Sequence, residues 1–283
     1  MAWLDLTCDA TGWSLVDTGR LDGIVKDLGH PVDQYPSMVS FLGNKNRILA
    51  LRSLFPHNNV TRRGSAGTVR LHLDSRTTCA DYPVLVAEGS LQDGPVATAL
   101  SKHGDYDGAC RYPIGRDDSE TAANAKHHLM TKSLLPWMHV SCFFADGIAE
   151  WAVVKSLLEE SQNSIVAGGC STPARMRVIL VLMSTTAVNE PQPLQMNISV
   201  PDLQTISILD LRDRHQLSGP ALFAPLRRLL LDELEHSRTE LMQRGLLFSA
   251  VHLAFLWRRS LRETFGPTAL RIDCLYFARE RLP

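Results

Sequence analysis

The chain has 283 residues, of which 45% are hydrophobic and 21% charged, a balance that excludes a disordered or fibrous protein and suits one large or two modest domains. Twenty-nine Lys and Arg against thirty Asp and Glu leave a net charge of −1, which excludes bulk electrostatic binding to nucleic acid or acidic membranes. The six cysteines are scattered, with no C-x-x-C pair, and read as reduced intracellular thiols rather than a disulfide framework.

The opening MAWLDLTCDATGW carries Asp5 and Asp9 and no long apolar run, so it does not read as a signal peptide. Residues 1–35 read as a peripheral lead-in with a short helix over 20–28. Residues 38–42 are a nearly continuous apolar run, as in a strand covered on both faces of a parallel sheet. Gly43 ends it, and a helix from Ile48 stops by Pro56. Residues 68–74 alternate apolar and polar, which predicts a strand near a sheet edge. A short buried strand over 84–87 is closed by Glu88 and Gly89.

From 90 to 132 Gly, Asp, Ser and His dominate, predicting a long loop with one short helix. An apolar strand over 138–145 follows. Asp146 then caps a helix with Trp151, Leu157 and Leu158 on one face. Residues 176–182 form the clearest central strand, and a connector over 184–201 leads to a last strand over 205–209. Two helices, 225–244 and 246–265, are broken at Gly245 and predict an α-helical hairpin appended to the sheet.

These elements predict an α/β fold: a mainly parallel, doubly wound sheet of the P-loop NTPase plan with a C-terminal α-helical hairpin. The expected divisions are a lead-in over 1–35, an α/β domain over 36–212 and a helical region over 213–283. The most apolar stretch, 246–257, is too short to cross a bilayer and contains His252, so a cytoplasmic protein with no transmembrane segment is expected.

A buried strand, a glycine and a helix make up the phosphate-binding unit of P-loop proteins, where loop amides and the helix N-terminus receive phosphates. A complete loop reads G-x-x-x-x-G-K-S/T, whereas Gly43 is followed by Asn44, Lys45, Asn46 and Arg47, with no second glycine and no Lys-Ser/Thr pair. Gly43 therefore opens either a phosphate loop or a tight turn with no ligand. Lys45 and Arg47 read as phosphate ligands or as solvated charges. Glu88 reads as an acid at the sheet's carboxyl edge or as a surface cap.

His103, Asp105 and Asp107 begin a calcium-loop-like pattern without the remaining ligands, and His127 and His128 lack a spaced partner set. No metal site is expected. Cys142 reads as an inert buried thiol, and Cys170 has no base beside it. With no G-x-S-x-G, H-E-x-x-H or G-x-G-x-x-G sequence, no catalytic residue is assigned.

DQYPSMVSFLG (33–43), GSAGTVRLHL (64–73) and PVLVAEG (83–89) resemble, in order and spacing, the phosphate-loop lead-in and the next two strands of a group of fungal P-loop GTPase-like proteins. That group is related in plan to the dynamin and guanylate-binding-protein GTPases. The resemblance implies GTP or ATP with Mg²⁺ as ligand, facing Gly43, Asn44, Lys45, Asn46, Arg47, Glu88 and Gly89. It also implies degeneration. The loop is about two residues short, Arg47 stands near the essential lysine, and Ile48 stands where a hydroxyl binds Mg²⁺. Glu88-Gly89 is the remnant of D-x-x-G, and Met183 falls where an Asn reads the base.

Losing these parts together implies weak or absent hydrolysis and a role through protein contacts. Two alternatives stay open. One is an active but atypical NTPase with Lys45 or Arg47 on the phosphates and Glu88 supporting Mg²⁺. The other is an enzyme of another class with a 90–132 lid and a pocket lined by Glu88, His103 and His127. The last helix is more apolar than one seam needs, predicting an exposed patch at Phe248, Phe255 and Trp257 and a homo-oligomer or protein partner through 225–265.

Overall fold

The computed structural model describes residues 2–9, 12–58, 69–91, 109–114, 122–167, 176–183 and 204–265. In chain order they form β1 (Ala2–Asp9), β2 (Gly12–Asp17), α1 (Arg20–Asp27), β3 (Ser37–Gly43), α2 (Asn46–Leu54), β4 (Val69–Leu73), β5 (Val84–Ser90) and β6 (Cys110–Ile114). There follow α3 (Ala122–His128), β7 (Val140–Phe144), α4 (Ile148–Ala167), β8 (Met176–Leu182), β9 (Gln204–Asp210), α5 (Gly219–Leu222), α6 (Ala224–Gln243) and α7 (Ala250–Phe265). Among the described residues nine strands form one sheet, ordered β6-β2-β1-β4-β5-β3-β7-β8-β9.

The sheet is mixed, not mainly parallel, which corrects the doubly wound expectation. Strands β5, β3, β7, β8 and β9 are joined by parallel pairings, while β6, β2, β1, β4 and β5 are joined by antiparallel ones. In the antiparallel half, β1, β2 and β6 come from residues read as lead-in and loop, while β4 falls on the strand expected over 68–74. Asp5 and Asp17 interrupt the apolar character of β1 and β2, yet both are buried in the sheet. Asp17 is stabilised there by the Gly19 N–H at 3.0 Å and the Trp257 indole N–H at 3.1 Å. Burial nevertheless raises its pKa above the usual carboxyl range.

β4 lies inside the sheet between β1 and β5 rather than at an edge. Val69 and Leu71 bury one face, and Arg70 on the other reaches the buried Glu88 of β5 at 2.9 Å. The three strands expected as central are parallel, with β7 inserted between β3 and β8.

Helices cover both faces of the sheet. On one, Trp3, Met38, Leu42, Phe143 and Leu180 pack with residues of α1, α3, α4 and α7. On the other, Val39, Phe41, Val86, Phe144 and Ile179 pack with residues of α2, α5 and α6. Each fully buried Leu or Phe contributes about 1.5–3 kcal/mol relative to exposure, so neither face can be left wet.

The last two helices do not form a hairpin. Leu226, Leu230 and Leu234 of α6 bury on the α2 face, whereas Leu253, Trp257 and Leu261 of α7 bury on the α1 face. Gly245, with φ of 66°, ends α6. The Leu246 and Gly245 N–H groups return to the Leu241 and Met242 carbonyls, the double closure that favours a left-handed glycine after a helix. Residues 246–249 then leave helical conformation, and α7 starts where the Ala250 N–H meets the carbonyl of Gln34, three residues ahead of β3.

The expected apolar patch is reduced accordingly. Trp257 is buried with its ring centroid 4.4 Å from that of Trp3, Phe248 is half-buried, and Phe255 is 47% exposed. Among the described residues no helix is long and apolar enough to cross a membrane.

Candidate functional site

The carboxyl ends of β3, β7 and β8 bring together the loop after Gly43, Asp146 and Met183. Gly43 has φ of 131°, and a Cβ there would lie 2.1 Å from the Phe144 carbonyl oxygen. The glycine is therefore required by the close approach of β7, with or without a ligand.

Four amides of the loop and the helix start after it are engaged within the protein. The Asn44 N–H donates to the Phe144 carbonyl at 3.2 Å, and the Asn46 N–H donates to Asn44 Oδ1 at 2.9 Å. The Arg47 and Ile48 N–H groups reach the Asn44 and Lys45 carbonyls at 3.3 and 3.1 Å. Asn44 Oδ1 thus holds a donor that would face a phosphate oxygen in a working loop.

Asp146 ties the cluster together. Its Oδ2 accepts from Asn44 Nδ2 at 2.8 Å and Asn46 Nδ2 at 2.9 Å, and its Oδ1 accepts from the Met183 N–H at 2.9 Å. Glu150 Oε2 accepts the Asp146 N–H at 2.7 Å, reaching back from the first turn of α4. The sequence marked Asp146 as a helix cap, and its link to Asn44 and Asn46 was missed. Two Asn side chains in so short a loop, with an Asp ending a second parallel strand, were the available signal.

Arg47 turns inward. Its Nη1 donates to the Gly43 and Asn44 carbonyls at 2.8 and 2.9 Å, and burial lowers its pKa. Lys45 is exposed and Ile48 offers no hydroxyl. Glu88 is buried, with Arg70 Nη1 at 2.9 Å and His72 Nε2 at 3.6 Å. Burial pushes its carboxyl up, but His72 and Arg70 outweigh that and hold it below the usual range. Gly89 packs under Leu42 and Met130, where a Cβ would meet each at 3.2 Å. Of the seven positions carried over from the resemblance, Asn44 and Asn46 meet at Asp146, and Gly43 abuts Phe144. Arg47 closes on the loop, and Glu88 belongs to an ion pair.

These residues do not fit a nucleotide with Mg²⁺: the Asn44, Asn46, Arg47 and Ile48 amides have acceptors, the metal-binding hydroxyl is replaced by Ile48, and Glu88 is neutralised by Arg70. Among the described residues no group of three or more His, Cys, Asp or Glu side chains is placed to hold a metal ion.

The proposed lid pocket is not assembled. Glu88 follows Val84 and Val86 on the α2 face of the sheet, whereas α3, which carries His127, packs its Ala125 on the other. His127 Nε2 lies 2.5 Å from Glu160 Oε2, bracing α3 against α4. His103, Asp105, Asp107 and Cys170 lie outside the described residues. Cys142 is buried, and burial pushes its thiol pKa up, so it is no nucleophile. No protein-family model and no curated protein matches the chain.

Proposed function

We propose that this chain is a degenerate phosphate-loop protein that does not hydrolyse nucleotide and acts through protein contacts. The observation that carries this reading is the occupied loop: Asn44 Oδ1 holds the Asn46 N–H while Asn44 Nδ2 is held by Asp146. Phosphoryl transfer depends on positioned donors and a metal. Here the Asn44, Asn46, Arg47 and Ile48 amides and Arg47 Nη1 already have acceptors within the protein. Fold does not imply activity, and a scaffold with a closed site offers its surfaces instead. The free thiols of Cys8, Cys79, Cys110 and Cys142 suit a reducing cytoplasm.

The competing reading, an atypical NTPase using Lys45 or Arg47, makes a distinct claim about turnover. Steady-state GTP and ATP hydrolysis by the purified chain separates the two. The expected outcome is phosphate release equal to buffer with or without Mg²⁺. Turnover abolished by Arg47→Ala or Lys45→Ala would establish the competing reading.

A further inference from the structure

The two edges of the sheet are built differently. At one, β6 spans five residues, exposes Arg111 and Pro113, and lies against α7. A proline without an N–H, a charged neighbour and a covering helix are devices that keep an edge from pairing. At the other, β9 runs seven residues in unbroken register with β8, from Met176↔Gln204 to Leu182↔Asp210. It contains no Pro, Gly, Lys or Arg. Among the described residues it pairs with β8 alone, and Ile208 is 42% exposed. Among the described residues, such an edge leaves a row of backbone donors and acceptors open to pairing.

We propose that β9 pairs antiparallel with β9 of a second copy, joining the two sheets about a two-fold axis at Ser207. The strand is self-complementary about that residue. The axis sets Ile206 opposite Ile208, Thr205 opposite Leu209, and Asp210, the strand's one charge, opposite the uncharged Gln204. Directly opposed residues share a face, so the two isoleucine pairs add to the apolar side on which Ile206 already packs. No like charges meet. An axis one residue further on, at Ile208, would instead set Asp210 against Ile206. Asp210 is already neutralised by Arg212 Nη2 at 2.6 Å, so the two carboxylates do not oppose the approach. A two-fold contact uses the same strand from both copies and closes on itself, which leaves no edge for further growth at this side.

Sedimentation equilibrium of the full chain, with variants, tests this. The wild type is expected to be dimeric, and Ile208→Lys, which changes an exposed side chain, to weaken association at least about tenfold with an unchanged circular dichroism spectrum. Phe255→Asp, on the rival apolar surface of α7, is expected to leave the dimer intact. Ser207→Cys is expected to give a covalent dimer on mild oxidation, because residues opposed in an antiparallel pair bring Cα atoms to about 4.5–5.5 Å. Thr205→Cys, opposite Leu209, is not. A wild type that stays monomeric, a dimer indifferent to Ile208→Lys, or one lost in Phe255→Asp would overturn the proposal.

Discussion

The Asn44 side-chain amide donates to Asp146 Oδ2 at 2.8 Å, tying the loop after β3 to the loop after β7 across 102 residues of chain. The same carboxylate holds Asn46 Nδ2 and the Met183 N–H, so one side chain fixes three chain segments at the sheet's carboxyl edge. Asp146→Ala is expected to lose about 2–4 kcal/mol, since it leaves several donors without their acceptor. Urea unfolding should show a lower midpoint with an unchanged slope. Asp146→Asn, which retains one acceptor oxygen, should lose less.

The two glycines carried over from the resemblance predict opposite outcomes. Gly43→Ala combines φ of 131° with a Cβ 2.1 Å from the Phe144 carbonyl, and a loss of more than about 3 kcal/mol is expected from strain and displaced backbone. Gly89→Ala meets only the flexible ends of Leu42 and Met130, each at 3.2 Å, and should stay within about 1 kcal/mol. Thermal unfolding of both variants checks the contrast, and equal shifts would contradict it.

His139 makes stability fall in mild acid. Burial holds its pKa at about 4 against a free value of 6.5, and its Nδ1 accepts the Met38 N–H at 2.7 Å. As pH falls through 6.5 the unfolded chain takes up the proton first. The stabilisation due to the neutral ring is complete above that pH and is lost towards pH 4, by about 3 kcal/mol. Glu88 and Glu160, whose pKa values are held low, add further loss below the ordinary carboxylate range. Denaturant titrations at stepped pH should show a shallower decline between pH 6.5 and 4 in His139→Gln than in the wild type.

Trp257→Phe keeps an aromatic ring against Trp3 but removes the indole N–H from the buried Asp17. A loss of about 1–3 kcal/mol is expected from the lost hydrogen bond and the smaller ring. Adding Asp17→Asn should recover part of it by removing a buried charge. Additive losses in the double variant would show that the two residues are not coupled.

The parallel half of the sheet was legible because β3, β5 and β8 are apolar runs covered on both faces, a pattern that survives without alignment. Of the antiparallel half, β4 was legible as the alternating run over 68–74, and β1, β2 and β6 were not. β1 and β2 carry acidic residues, and the partner of Asp17, Trp257, lies more than two hundred positions away. β6 contains Pro113, which argues locally against a strand and is tolerated at an edge. Gly245 correctly marked the end of α6, but nothing local says that the chain then passes to the other face of the sheet. At the site, Gly43 announced the turn, while Asn44 looked like a loop residue because its partner Asp146 is brought close only by the parallel pairing of β3 and β7.

Titration of the wild-type chain with fluorescent GTP and ATP, with and without Mg²⁺, tests the closed loop most directly. With Asn44, Asn46 and Arg47 engaged inside the protein, no saturable binding is expected up to about 1 mM, a limit of roughly −4 kcal/mol. Micromolar, Mg²⁺-dependent binding that is lost in Arg47→Ala would contradict the account, because it would require the Asn44–Asp146 bond to open and the loop to accept a phosphate.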